Sequence, residues 1–265
     1  MDLDGKEQQL RERLAARGSL LIAFSGGVDS SLLAAIAREV LGDRCRAVLL
    51  ESPLVPRAAI MGARETAAEL GVPLEVIPLP VLEDEGVLRN PPDRCYHCRR
   101  ISARVLSTRA RELGLASVAD GTSASDLGEH RPGLRAAAEE GILHPLAEAG
   151  LTKEDIRAIA RRRGHGFWNR PSAACLASRI AYGEDLSIVK LRLIEEAEAL
   201  LHALGFTQAR VRLHGEVARI EVMPGEMEKL WKEREQILGA LTGMGFTYVT
   251  ADLAGYRSGS MDEVL

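Results

Sequence analysis

No stretch of this 265-residue chain approaches the roughly 18 consecutive apolar residues that a membrane-spanning helix requires, although 46% of its residues are apolar. An excess of basic charge is missing too. Lys and Arg number 34 against 38 Asp and Glu, a formal net charge of -4. Nothing therefore draws polyanions to the surface as a whole, and nucleic acid is not an expected partner. The chain begins with the charged Met-Asp-Leu-Asp-Gly-Lys rather than with the apolar run of a signal peptide, so a cytoplasmic protein is expected. Cysteine is scarce, four residues in all, and in that compartment these read as ligands, nucleophiles or core fillers rather than as structural disulfides. Internal repeats and low-complexity tracts are absent. The apolar content that is present suffices for a full core, and the length suits one medium domain with a smaller one beside it.

The most informative stretch runs from Leu20 to Leu33. Leu20 to Phe24 form a short apolar run closed by Ser25-Gly26-Gly27, and Ser30 opens an apolar stretch with helical spacing, a pattern that predicts strand, tight loop and helix. Gly26 and Gly27 lack the Cβ that would block close approach. Their amides and those at the helix start can converge on phosphate oxygens, with the positive end of the helix dipole behind them. No Gly-Lys-Ser/Thr follows, which excludes a Walker A loop. Ser-Gly-Gly-x-Asp-Ser instead resembles the pyrophosphate loop of the ATP pyrophosphatases, which split ATP between its α and β phosphates and leave an adenylated acceptor. That resemblance implies that Ser25, Gly26, Gly27, Asp29 and Ser30 bind ATP, with Asp29 helping to organise Mg²⁺ on the leaving pyrophosphate. The alternative for Asp29 is a simple helix N-terminal acid favoured by the dipole.

Elsewhere the chain alternates strands and helices. A helical lead-in over Gln8–Arg17 stops at Gly18, and strands are predicted at Arg46–Leu50, Leu74–Leu79, Ala116–Ala119 and Ile142–Pro145. Helices are predicted between them: to about Leu41, from Pro56 to Gly71, and over Tyr96–Leu113. Glu83 to Arg94 is polar and rich in turns. Thr152 with Asp155 three residues on comes close to a capping box for the helix that follows. This alternation predicts an α/β, doubly wound parallel sheet with ligands at the carboxyl ends of its strands, where the Gly121-Thr122 turn also lies and places Gly121 and Asp126 among the candidate binding residues. From Gly164 to Gly183 the pattern stops, which reads as a domain junction. Beyond it, a helix over Ile188–Leu204, paired strands Ala209–Leu213 and Val217–Met223, a helix over Glu226–Leu241 and a strand Phe246–Thr250 form a smaller α+β unit. The expected domains are 1–165 and 166–265.

Cys95 and Cys98 form a CxxC, a weak signal alone. Neither a second CxxC nor a His pair at short spacing completes a tetrahedral zinc site, and the Ser-Gly-Gly loop is the wrong context for a thioredoxin-like redox pair. Cys175 is the natural third partner, because three thiolates can hold a [4Fe-4S] cluster and leave one iron open to an exogenous ligand such as hydrosulfide. Cys45, at the start of a strand, reads as a buried small apolar residue. Arg210 and Arg212 alternate on one strand face, placed either to grip a phosphate or to line an exposed edge. The basic run Arg161-Arg162-Arg163 reads as a structural helix C-terminus.

Arg170 to Arg179, containing Pro-Ser-Ala-Ala-Cys-Leu-Ala-Ser-Arg and followed by Tyr182-Gly183, resembles the cysteine-bearing segment of the LarE family, ATP-dependent sulfur transferases of nickel-pincer nucleotide biosynthesis. The likeness spans nearly the whole chain through Gly121-Thr122-x-Ala124-Ser125-Asp126-Leu127-Gly128, Arg131-Pro132-Gly133, Gly150-Leu151-Thr152-Lys153, Arg210-Val211-Arg212-Leu213-His214 and Asp252-Leu253-x-Gly255-Tyr256-Arg257-x-Gly259-Ser260. Ala181 stands where Pro is expected, and Arg170 where Lys is common. The resemblance implies adenylation of the carboxylates of pyridinium-3,5-biscarboxylic acid mononucleotide and their conversion to thiocarboxylates. It implies a pyrophosphatase domain followed by a sulfur-transfer and substrate domain. Cys175 would be catalytic with Asp29, and Cys95, Cys98 and Cys175 would hold the cluster. Ser178, Arg179, Glu198, Arg210, Arg212 and Arg257 would serve the bound nucleotide. Members with a lone cysteine at the position of Cys175 sacrifice it as sulfur donor, and this alternative stays open. Further expectations are a sulfide donor and a homo-oligomeric state. The competing function is a tRNA thiolase, which uses the same adenylate-then-sulfur logic on a substrate that demands a broad basic surface.

Overall fold

Leu20 and Ile22 bury their side chains in one cluster and Leu21, between them, in another, so the first strand is covered on both faces, as a central parallel strand must be. The computed structural model describes residues 2–128, 132–171, 174–257 and 260–261. Of the residues in the motifs above, Arg131, Ser172, Ala173 and Gly259 fall outside these. The described chain divides into two compact units, one of residues 1–81 with 93–173 and one of 82–92 with 174–265.

The first unit contains helices α1 (Leu3–Arg17), α2 (Val28–Leu41), α3 (Arg57–Glu69), and, after the excursion of 82–92 that carries the short α4 (Glu85–Leu88), α5 (Arg94–Glu112), α6 (Pro132–Glu139), α7 (Pro145–Glu148) and α8 (Lys153–Arg162). Its strands β1 (Leu20–Ala23), β2 (Cys45–Glu51), β3 (Leu74–Pro78) and β4 (Ser117–Ala119) pair in parallel in the order β3-β2-β1-β4. From β1 the chain winds outward through β2 and β3, then returns to place β4 on the other side of β1. The strand order reverses between β1 and β4, which opens a crevice at their carboxyl ends. One face of the sheet packs Leu32, Leu33 and Ile36 of α2 with Leu10, Leu14, Ile156 and Ile159; the other packs Ala103, Leu106 and Ala110 of α5 with Ala137. Cys45 lies fully buried in the first cluster, and burial pushes its thiol pKa up to about 11.

The predicted strand at Ile142–Pro145 is reduced to one bridge, Ala119 to Leu143. Pro145 has no N–H to extend the ladder and instead occupies the first position of α7. The capping box is present, with Thr152 accepting from the Asp155 amide at 3.2 Å and Asp155 accepting from the Thr152 amide at 3.0 Å.

The second unit contains α9 (Ile188–Ala203), strands β5 (Ala209–His214), β6 (Val217–Val222) and β7 (Tyr248–Ala251), and helices α10 (Met227–Lys232) and α11 (Arg234–Met244), so the single helix predicted over Glu226–Leu241 is interrupted at Glu233. β5 and β6 are antiparallel, and β7 adds parallel to β6. Leu191, Ile194, Ala197 and Leu201 supply the buried stripe of α9. The segment 82–92 belongs here because Asn90, fully buried, donates its side-chain amide to the carbonyls of Ile180 (3.2 Å) and Ala181 (2.8 Å), while its own carbonyl accepts from Gly183 (2.9 Å). Among the described residues no helix is long and apolar enough to cross a membrane.

Candidate functional site

The crevice between β1 and β4 is built from loop backbone. Phe24 continues the ladder one step past β1 by donating to Val48 (2.8 Å), after which Ser25 to Gly27 turn the chain into α2. Gly26 has φ of 72°, and a Cβ there would lie 2.5 Å from Ala63 Cα, so both the turn and the contact with α3 demand glycine. Ser30, buried in the first turn of α2, accepts from the Ser25 amide (3.2 Å) and lies 3.0 Å from Ser25 Oγ, which in turn accepts from the Gly27 amide at 3.3 Å. Asp29 is half-buried beside them. Gly121 closes the crevice from the β4 side, its Cα so near α2 that an added Cβ would lie 2.7 Å from the Ser30 nitrogen. Ser25, Gly26, Gly27, Asp29 and Ser30 are neighbours in the sequence and only Gly121 joins them by topology; in the structure they share one mouth. Loop amides, hydroxyls and the start of a helix at such a point can receive phosphate oxygens.

Asp126 takes a different position. Buried, it accepts from the Ser123 amide (2.9 Å) and hydroxyl (2.6 Å) and pairs with Lys153 at 2.9 Å, contacts that fix the turn after β4.

A cluster not anticipated from the sequence stands at the end of β4. Asp120, buried, accepts from the Thr122 amide at 2.9 Å, faces His144 Nδ1 at 2.7 Å, and pairs through its second oxygen with the Arg99 guanidinium. Burial lowers the His144 pKa and the Arg99 charge adds to it, while Glu148 opposes. The ring is therefore neutral at pH 7, and Asp120 as acceptor assigns the proton to Nδ1. Arg99 is itself depressed by burial, with the neighbouring Cys98 acting in the opposite sense. Asp120 precedes Gly121 in the chain and Arg99 follows the CxxC, which are the only sequence signals that could have found them.

Cys95 and Cys98 lie at the start of α5, the first exposed and the second half-buried. The buried Arg94 guanidinium lies 3.8 Å from Cys95 Sγ. Arg94 and Arg99 flank the pair in the sequence.

In the second unit Cys175 precedes a 3₁₀ turn, Leu176–Arg179. Its carbonyl accepts from Ser178 Oγ at 2.7 Å and Arg179 Nη1 at 2.9 Å. Arg179, almost wholly buried, forks onto Glu198 with bonds of 2.9 and 3.0 Å, and Glu198 also accepts from the Val211 amide at 3.1 Å. Arg212 reaches Ser178 O (2.9 Å) and Glu221 (2.8 Å), and Glu221 is held further by Ser260 at 2.7 Å. Arg210 differs. It is only 7% exposed, and its contacts are the Ala209 carbonyl at 2.7 Å and the Tyr256 ring, 5.5 Å from the centroid. Among the described residues no carboxylate lies within ion-pair distance of it. Burial lowers its pKa, with Arg179 and Arg212 adding to the effect against Glu198. Arg257 stands apart, 3.4 Å from Asp252. Glu221 is a further buried acid that the sequence reading missed, because its role depends on the β5–β6 register, which sets it opposite Arg210. Among the described residues no group of three or more His, Cys, Asp or Glu is placed to hold a metal ion.

Residues 4–87 match the NAD synthase family model. Over 245 residues, 92% of this chain and 89% of the relative, the sequence is 36% identical to the pyridinium-3,5-bisthiocarboxylic acid mononucleotide synthase of Lactiplantibacillus plantarum. An uncharacterized Synechocystis protein is 36% identical over 99% of both chains. A tRNA-specific 2-thiouridylase of Nitrobacter winogradskyi is 30% identical over 62% of this chain and 48% of its own length.

Proposed function

The chain belongs to the family of the pyridinium-3,5-bisthiocarboxylic acid mononucleotide synthases, LarE, and is an ATP-dependent sulfurtransferase on a pyrophosphate-loop α/β fold; from that membership we propose that its acceptor is pyridinium-3,5-biscarboxylic acid mononucleotide. A carboxylate oxygen of the acceptor attacks the α-phosphorus of ATP, pyrophosphate leaves, and the mixed anhydride carries AMP as a good leaving group. Hydrosulfide then attacks the acyl carbon, AMP departs with its oxygen, and a thiocarboxylate remains. The loop amides from Ser25 to Ser30 receive the departing phosphates. Asp29 would hold Mg²⁺, which when bound neutralises charge on pyrophosphate.

The observation that carries the acceptor assignment is Arg210. Among the described residues Arg179 and Arg212 each have a matching glutamate, whereas Arg210 is buried without one, which leaves a positive charge near Arg179 to be met by the phosphate of a nucleotide. For sulfur delivery, Cys95, Cys98 and Cys175 would supply the three thiolates of a [4Fe-4S] cluster, which when bound would offer an open iron to hydrosulfide. The support is donor chemistry; sacrifice of Cys175 is the alternative source.

The test is anaerobic turnover with ATP, Mg²⁺, sulfide and the biscarboxylic nucleotide, following AMP and the product mass. AMP release together with exchange of oxygen for sulfur is expected. Arg210→Ala should weaken the nucleotide about thirtyfold, the loss of one charge-assisted contact of ~2 kcal/mol, while sparing ATP. AMP release with tRNA but not with the nucleotide would overturn the assignment.

A further inference from the structure

Arg170 lies outside the phosphate loop in sequence, yet its guanidinium is bonded to that loop. Nη1 is 3.0 Å from the Gly26 carbonyl, 3.3 Å from the Gly62 carbonyl and 2.7 Å from Thr66 Oγ1. Gly62 and Thr66 sit one turn apart on α3 and are themselves joined, Thr66 Oγ1 donating to Gly62 O at 2.8 Å. The backbone around Arg170 is anchored in turn, because Arg157 of α8 donates to the carbonyls of Trp168 (3.0 Å) and Arg170 (3.3 Å). A single cation thus ties the loop to α3 from a segment that α8 holds in place.

The consequence comes from peptide geometry. In a trans peptide the carbonyl of one residue and the N–H of the next point to opposite sides of the chain. Holding the Gly26 carbonyl toward Arg170 therefore turns the Gly27 N–H the other way, toward the inner face where Ser25 Oγ accepts it at 3.3 Å. That long bond to a rotatable hydroxyl is easily exchanged for one to a phosphate oxygen. Gly26, with φ of 72° and no side chain, has no steric means of choosing between this peptide orientation and a flipped one.

We propose that Arg170 is a positioning residue for the pyrophosphate-forming step, which selects the peptide orientation that aims the Gly27 amide at the departing phosphates. The inference rests on the ATP-cleaving reading of the loop but not on the identity of the acceptor or of the sulfur source. It assigns to Arg170 no contact with substrate: the guanidinium acts through the Gly26–Gly27 peptide.

The experiment compares wild type with Arg170→Met, Arg170→Lys and Thr66→Val, using titration with magnesium pyrophosphate and single-turnover AMP formation. Preorganised donors to a leaving anion are worth a hundredfold or more in rate when removed, so a misaimed one should cost on the order of tenfold to a hundredfold. Arg170→Met should lose at least about tenfold in pyrophosphate affinity and in AMP formation. Arg170→Lys, whose ammonium has three donors for the three acceptors, should recover most of both. Thr66→Val, close in shape, removes one of the anchors on α3 and should give a smaller loss in the same direction, which keeps the test available if the Met variant fails to fold. Folded Arg170→Met with wild-type pyrophosphate affinity, or Arg170→Lys as impaired as Arg170→Met, would overturn the proposal. Wild-type protein that binds pyrophosphate but transfers no sulfur would instead count against the acceptor assignment and leave the Arg170 comparison readable.

Discussion

A methyl group on Gly121 would lie 2.7 Å from the Ser30 nitrogen and 3.0 Å from Asp29 C and Ser30 Cα, all backbone atoms that cannot swing aside. Gly121→Ala must therefore push the end of β4 away from the start of α2, at the place where the phosphate receptor is assembled. Such overpacking costs roughly 1–3 kcal/mol, and AMP formation should fall by more than the loss of folded protein accounts for. Thermal melts and AMP assays on the same preparation check this; normal AMP formation would show that the approach is not required. Residues of this kind differ in how far the sequence reveals them. Ser25, Gly26, Gly27 and Ser30 lie within six positions, and local chemistry suffices to group them. Asp120, Arg99 and His144 come from the end of β4, from α5 and from the chain leading into α7. Their meeting depends on strand order, which spacing does not encode.

At the scale of elements, the best-read features are those with local causes. The capping box of α8 is one, and it makes a clean measurement: Thr152→Ala removes the side-chain acceptor for the Asp155 amide and should cost about 1 kcal/mol of unfolding free energy in urea. No change in stability would mean that Lys6, 2.5 Å from Asp155, holds the helix start alone. Pro145 has a local cause as well, for it ends the expected strand by the absence of its N–H. The excursion of 82–92 into the second unit has no such cause. It reads as a polar, turn-rich stretch because what decides its placement is Asn90 bonded to carbonyls 90 and 91 positions later. The interruption at Glu233 is likewise silent in the helical periodicity of Glu226–Leu241.

For the molecule as a whole, the net charge of -4 hides a partly buried opposition of charges in the first unit, centred on Glu7. Glu7 on α1 is bonded to Arg162 of α8 and to Arg163 that caps it, and Arg163 also reaches Glu39 of α2, where Arg11 meets it. The run Arg161-Arg162-Arg163, which by sequence is a structural helix end, thus joins three helices on one face of the sheet. Burial alone would raise the Glu7 pKa, but hydrogen bonds and charge from Arg163 and Arg162 outweigh it and hold the carboxyl below its ordinary value of 4.5. Glu39 is shifted in the same direction by the same balance with Arg163 and Arg11. The sign follows from linkage: where the folded pKa lies below the unfolded one, the unfolded chain binds more protons, so stability rises with pH through that window. The contribution is fully present above about pH 4.5 and is lost as pH falls through the folded value. Glu39 is far more exposed, so solvent screening keeps its share below about 1 kcal/mol. Glu7→Gln should then cost on the order of 1–3 kcal/mol in urea unfolding at neutral pH, since two arginines lose a charged acceptor. The gap between variant and wild type should narrow steadily as the pH is lowered below about 4.5, because protonated Glu7 resembles the glutamine. A gap that stays constant down to acid pH would assign the cost to packing around Glu7 rather than to its charge.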